Sequence, residues 1–246
     1  MLITSEYVDI PVDGRSMRTF VASPAGEHKY PGILCYSDIF QLTGATLRTC
    51  ARLAGYGFIV VVPEIYHRIE PSGTVLAFDD AGRDRGLADA ARMPVADFDA
   101  DCRAALDYLK SMPQVAQGRI GAAGWCIGGH LAFRAALQPD VRATVCFYAT
   151  GVHNGHLGKD ADAGSLGRAA EIKGELMMVW GTADPHIPSE GRQAIRKALD
   201  AAKVSYVFHE FPAAHAFMRD EGPRYDAEVT DAAHNAMVGH FRRSFL

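Results

Sequence analysis

The stretch Gly124-Trp125-Cys126-Ile127-Gly128-Gly129 constrains this chain more than any other. An apolar run, Arg119 to Ala123, leads into it, and a helix-forming run, His130 to Leu137, leads out. A strand that turns at once into a helix around small residues is the layout of a nucleophile elbow. The reactive residue of such a turn sits in a strained backbone conformation, and Cβ atoms on its neighbours would collide. Serine is the usual occupant. Here it is Cys126.

The pattern on either side of the elbow is that of an alternating α/β chain. Glu6–Ile10 and Met17–Ala22, joined through Val12-Asp13-Gly14-Arg15, read as an N-terminal hairpin. Further strands are predicted at Pro31–Tyr36, Phe58–Val62, Arg119–Ala123, Ala143–Tyr148, Leu176–Trp180 and Tyr206–Phe211. Helices are predicted at Thr46–Ala54, Val95–Lys110, Cys126–Leu137, Ser189–Ala202 and Asp226–Arg243. The unbroken run Phe58-Ile59-Val60-Val61-Val62 suits a strand buried on both faces of a parallel sheet. The alternation predicts a mostly parallel central sheet covered by helices on both faces. Arg68–Met93 and Gly151–Gly167 are polar and glycine-containing and read as loops that wall a pocket. No break in composition divides the chain, so residues 1–246 read as a single domain.

Composition excludes several kinds of function. The net charge of −4, with no basic block, argues against a nucleic-acid partner. No apolar stretch reaches the roughly 18 residues of a membrane span, and Met1 to Glu6 lacks the basic-then-apolar pattern of a secretion signal. The five cysteines are scattered, odd in number and without a CxxC pair, which argues against a disulfide framework or thiolate zinc site. A cytoplasmic location is expected. His153, His156 and His186 have no metal-ligand spacing and read as solvated loop histidines, with His186 at a pocket rim. No metal and no cofactor are expected.

A free thiol titrates near 8.5, so Cys126 needs a base and an orienting carboxylate to act at neutral pH. On this layout the chain order is nucleophile, acid, histidine. Asp184 ends the apolar run Met177-Met178-Val179-Trp180-Gly181 at a tight polar turn, and His215 lies just beyond Tyr206–Phe211. Both therefore fall at strand ends, where the loops of such a sheet gather. Cys35 and Cys146 sit in apolar strands, and Cys50 and Cys102 in helices without an activating neighbour.

With these residues in place the chain resembles the dienelactone hydrolases (carboxymethylenebutenolidases) of the α/β-hydrolase superfamily over nearly its whole length. The most specific matches are residues 124–129, Gly181-Thr182-Ala183-Asp184-Pro185-His186-Ile187-Pro188 and Ala214-His215-Ala216-Phe217-Met218-Arg219. Tyr36-Ser37-Asp38-Ile39-Phe40 and Val62-Pro63-Glu64-Ile65-Tyr66 match further landmarks. The resemblance implies an α/β-hydrolase fold, with Cys126 as nucleophile, His215 as base and acid, and Asp184 orienting His215. It also implies an oxyanion hole from the N–H groups of Ile39 and Ile127. Asp38 stands where the family has a glutamate that modulates the thiol, one methylene shorter. Arg219 matches an arginine that grips a substrate carboxylate, and Arg83 and Arg85 both offer themselves as a second. The implied partner is a small lactone or activated ester, turned over by a monomer or homodimer. A broader hydrolase of esters, thioesters or phosphotriesters and a non-catalytic binding or redox-sensing protein are the alternatives.

Overall fold

A computed structural model describes residues 1–245. Strands β1 (Ile3–Val12) and β2 (Arg15–Pro24) form the hairpin, paired antiparallel from Ile3 opposite Pro24 to Val12 opposite Arg15. Both strands outrun the predicted segments. Most of β1 is exposed, so hydrophobic alternation marks only its buried part while the hydrogen-bond ladder continues past it.

The other strands are β3 (Tyr30–Tyr36), β4 (Ile59–Pro63), β5 (Val115–Trp125), β6 (Val141–Phe147), β7 (Glu175–Gly181) and β8 (Tyr206–Phe211). They complete one sheet in the order β1-β2-β4-β3-β5-β6-β7-β8. It is parallel from β4 to β8 and antiparallel across β1, β2 and β4. Every residue of β4 is buried, as its β-branched run requires.

The helices are α1 (Gly44–Ala54), α2 (Asp80–Arg92), α3 (Val95–Ser111), α4 (Ile127–Ala135), α5 (Ser189–Ala201) and α6 (Ala227–Ser244). Gly32 and Gly121 show how two of them divide between the faces. Gly32 precedes Ile33, the partner of Gly121, so the two glycines present opposite sides of the sheet. A Cβ on Gly32 would meet Leu109 of α3, whereas one on Gly121 would meet Phe241 of α6. Helix α1 lies beside α6, joined to it by the Arg52–Asp231 ion pair.

The chain runs from β3 outward to β4 and then returns to β5 on the other side of β3. That reversal opens a crevice at the carboxyl ends of β3 and β5. Ile39 follows the first strand and Cys126 the second.

One element corrects the sequence reading. Residues 80–92, read as part of a loop, form α2. Its buried positions are Gly82, Gly86 and Asp89, at helical spacing but not apolar, so hydrophobic periodicity does not register them.

Candidate active site

Cys126 is lifted into the crevice by its backbone. Its φ of 60° and ψ of −122° lie outside the regions open to ordinary side chains, and α4 starts only at the next residue. The turn is over-determined by hydrogen bonds. The Cys126 N–H donates to the Phe147 carbonyl at 3.1 Å, and the Cys126 carbonyl accepts from Gly129 and Thr150. A Cβ on Gly124 would lie 1.9 Å from the Gly128 carbonyl oxygen, and one on Gly128 would lie 2.3 Å from that of Ser37. The elbow is therefore wedged against β3, and only glycine fits at these two positions.

His215 approaches from the far side of the crevice, on the turn after β8. Its Nδ1 is 2.7 Å from Asp184 Oδ2, and both side chains are buried. Asp184 is held in turn, because its Oδ1 accepts the His186 N–H at 2.8 Å. The edge of Tyr148 meets the imidazole at a ring separation of 5.1 Å, and the His186 ring meets it at 4.7 Å. Tyr148 and Ala216, like Cys126, have positive φ (35° and 59°), so backbone strain is concentrated around the imidazole. Burial pulls the His215 imidazolium down. The negative charge of the Cys126 thiolate and the hydrogen-bonded Asp184 outweigh that, leaving it pushed up to about 9.

Cys126 and His215 open onto a cavity of about 370 Å³, within the range of small-molecule sites. Its walls are the Ile39–Phe40 turn, the Arg83, Leu87, Ala90 and Ala91 face of α2, and the loop from Thr150 to Gly158. Cys126 is the one cysteine on this lining, and the other four are buried elsewhere. Burial pushes the Cys102 thiol up to about 12 and that of Cys146 higher still, so neither supplies a thiolate. Ile127, the first residue of α4, has an N–H without an intrahelical acceptor, and the Ile39 N–H has no protein acceptor among the described residues.

The remaining predicted residues separate. The Asp38 Oδ1 accepts the Phe40 N–H at 2.9 Å, and its Oδ2 accepts from Arg219 Nε at 3.0 Å and Nη2 at 2.6 Å. Asp38 is thus committed to Arg219 and its own turn, and among the described residues it makes no hydrogen bond to Cys126. The Arg219 guanidinium also packs on the rings of Phe40 and Phe78, at 4.7 and 4.8 Å. Arg83 lies on the cavity wall and pairs with Asp80 and Asp84. Arg85 is not on the lining and is clamped by Glu70.

His153 and His156 lie on the cavity wall; His153 is half-buried, a departure from its reading as a solvated loop histidine, whereas His156 is exposed as read. Burial lowers the pKa of His153. The sequence reading missed Tyr148 and Arg224. Tyr148 follows β6 directly, and its place at a strand end was the available signal. Arg224 sits in an irregular turn with no motif to mark it.

Against known proteins, the sequence profile described as the dienelactone hydrolase family matches residues 17–245. A Saccharomyces cerevisiae protein, provisionally named carboxymethylenebutenolidase, is 38% identical over 99% of this chain and 93% of its own. The carboxymethylenebutenolidase of a Pseudomonas species is 28% identical over 87% of this chain and 84% of its own. Among solved structures, a protein from Klebsiella pneumoniae, provisionally a dienelactone hydrolase, superposes with a TM-score of 0.87 at 23% identity. It covers 99% of this chain and 100% of its own. A dienelactone hydrolase-like promiscuous phosphotriesterase from metagenomic libraries superposes with a TM-score of 0.79 at 22% identity, covering 100% of both chains.

Proposed function

The chain belongs to the dienelactone hydrolase family, and from that premise we propose that it hydrolyses small lactones and activated esters through an acyl-thioester on Cys126. The observation that carries the reading is the Asp184–His215 pair, bonded at 2.7 Å and set beside a cysteine held in a strained turn. No structural role calls for that combination.

In the proposed reaction the Cys126 thiolate adds to the carbonyl carbon. The resulting oxyanion lies between the N–H groups of Ile39 and Ile127, where losing one donor costs roughly a hundredfold or more in rate. The C–O bond then breaks, and the departing alkoxide or enolate takes the proton from the His215 imidazolium. The neutral imidazole next removes a proton from water, whose oxygen attacks the thioester. The C–S bond breaks, the carboxylic acid leaves and loses its proton to solvent, and Cys126 returns as thiolate beside imidazolium. Asp184 fixes which ring nitrogen faces the thiol throughout.

A thiolate is itself a good leaving group, so adducts with ordinary alkyl esters revert. Enol-lactones and aryl esters go forward because their leaving groups are better still. Asp38 acts here as the anchor of Arg219.

A panel of a 4-nitrophenyl ester, a thioester, an enol-lactone and a phosphotriester tests this reading. Cys126→Ala is expected to lose at least about a thousandfold in kcat on the ester and lactone, with its fold intact. Full activity in that variant would overturn the assignment. Turnover of the phosphotriester alone would support the broader hydrolase instead.

A further inference from the structure

Helix α2 turns its apolar side away from the protein body. The buried positions are Gly82, Gly86 and Asp89, none of which has an apolar side chain. That side is held by backbone contact instead. Tyr66 Oη donates to the Gly86 carbonyl at 3.1 Å, and a Cβ on Gly86 would lie 2.5 Å from the Ile39 carbonyl oxygen.

The apolar stripe lies elsewhere on the helix. Arg83, Leu87, Ala90 and Ala91 follow the i, i+4, i+7, i+8 spacing of a single helix face, and all four line the cavity that Cys126 and His215 share. Arg83 is bonded to Asp80 and Asp84, which leaves the other three as an apolar strip. Leu87 is the only large apolar residue of α2, and it stays exposed. Burying it in the core would stabilise the fold, so its place on the wall is not explained by folding. Ala90 and Ala91 keep the space beside it open. Ile39, Ile127 and Leu157 continue the apolar surface towards the nucleophile, so Leu87 belongs to a patch and does not stand alone. A cavity of about 370 Å³ has room for a molecule larger than a compact lactone.

We infer that Leu87, with Ala90 and Ala91, is a specificity-determining wall that takes an extended apolar group of the substrate, an alkyl chain or aryl ring attached to the ester. This rests on the hydrolase reading above. Such a group leaves water as the ester carbonyl reaches Cys126, and the apolar area it covers on α2 raises kcat/KM.

Two ester series test the wall from either side of the carbonyl. 4-Nitrophenyl acetate, butyrate and hexanoate lengthen the acyl side, whereas phenyl and 2-naphthyl acetate enlarge the alcohol side. In at least one series the wild-type kcat/KM should rise about tenfold or more with size. Leu87→Ala should lose about tenfold on the largest ester of that series and no more than about twofold on the smallest. Leu87→Met should keep the wild-type gradient. Ala91→Trp should flatten it by filling the cavity, with urea unfolding showing that each variant is folded. A wild type indifferent to size in both series, or a Leu87→Ala variant that loses equally on every ester or on none, would overturn the inference. If no ester turns over in the wild type, the hydrolase reading fails, and fluorescence titration with 2-naphthol decides the wall separately. About tenfold weaker binding to Leu87→Ala would then support the apolar site, and unchanged binding or none to the wild type would refute it.

Discussion

At the scale of single residues, environment assigns different work to side chains of the same type. His130 is buried with Nδ1 3.0 Å from the Thr150 carbonyl and Nε2 2.8 Å from Ser165 Oγ, and burial drives its pKa down to about 3. His215 is also buried, but the charge of Cys126 and the bond to Asp184 hold it up at about 9. An unfolded histidine titrates near 6.5. The His215 imidazolium therefore stabilises the fold fully below about 6.5, and that contribution is lost as pH rises through about 9. NMR titration of the ring should show the raised value in the wild type. In Cys126→Ser it should fall, because the hydroxyl carries no charge. An unchanged value would remove the thiolate–imidazolium pair from the mechanism.

The residues at the centre of the site were legible because each sits where a strand ends, and strand ends are marked locally by apolar runs that stop at small or polar residues. Arg224 was not, because it reaches the cavity wall from an irregular turn that no apolar run marks. The partnership of Asp38 was hidden for another reason. Its carboxylate reaches across 181 positions to Arg219, and nothing near residue 38 announces that choice.

At the scale of elements, α2 is the most instructive. Two of its three buried positions are glycines, and at Gly86 this lets the helix backbone approach the β3–α1 connection instead of filling the gap with a side chain. Local signals were present. Asp79 accepts the Gly82 N–H at 2.7 Å as an N-cap, and Arg92 stands in the last turn. A Cβ on Gly86 would lie 2.5 Å from the Ile39 carbonyl oxygen. Gly86→Ala should therefore push α2 off the turn that carries the Ile39 amide. The expected result is a loss of about 1–3 kcal/mol in urea unfolding, together with a lower kcat on 4-nitrophenyl butyrate. Leu87→Ala, at a position 52% exposed on the same helix, should leave stability nearly unchanged. Equal stability in both variants would contradict the close approach.

At the scale of the molecule, the alternation of strands and helices dictates a mostly parallel sheet, and the order β4-β3-β5 places the crevice. The elbow, the Ile39 turn and the loops after β6, β7 and β8 all reach that edge, which is why residues far apart in sequence share one cavity. No helix among the described residues is long and apolar enough to cross a membrane. The central claim is that Cys126 carries the acyl group between two chemical steps. Acid quenching within milliseconds of mixing with 4-nitrophenyl acetate, followed by peptide mass spectrometry, tests it most directly. The account predicts a burst approaching one nitrophenol per chain and one acetyl group on the peptide containing Cys126, both absent in Cys126→Ala. Steady turnover with no adduct on that cysteine, or an adduct on another residue, would contradict it.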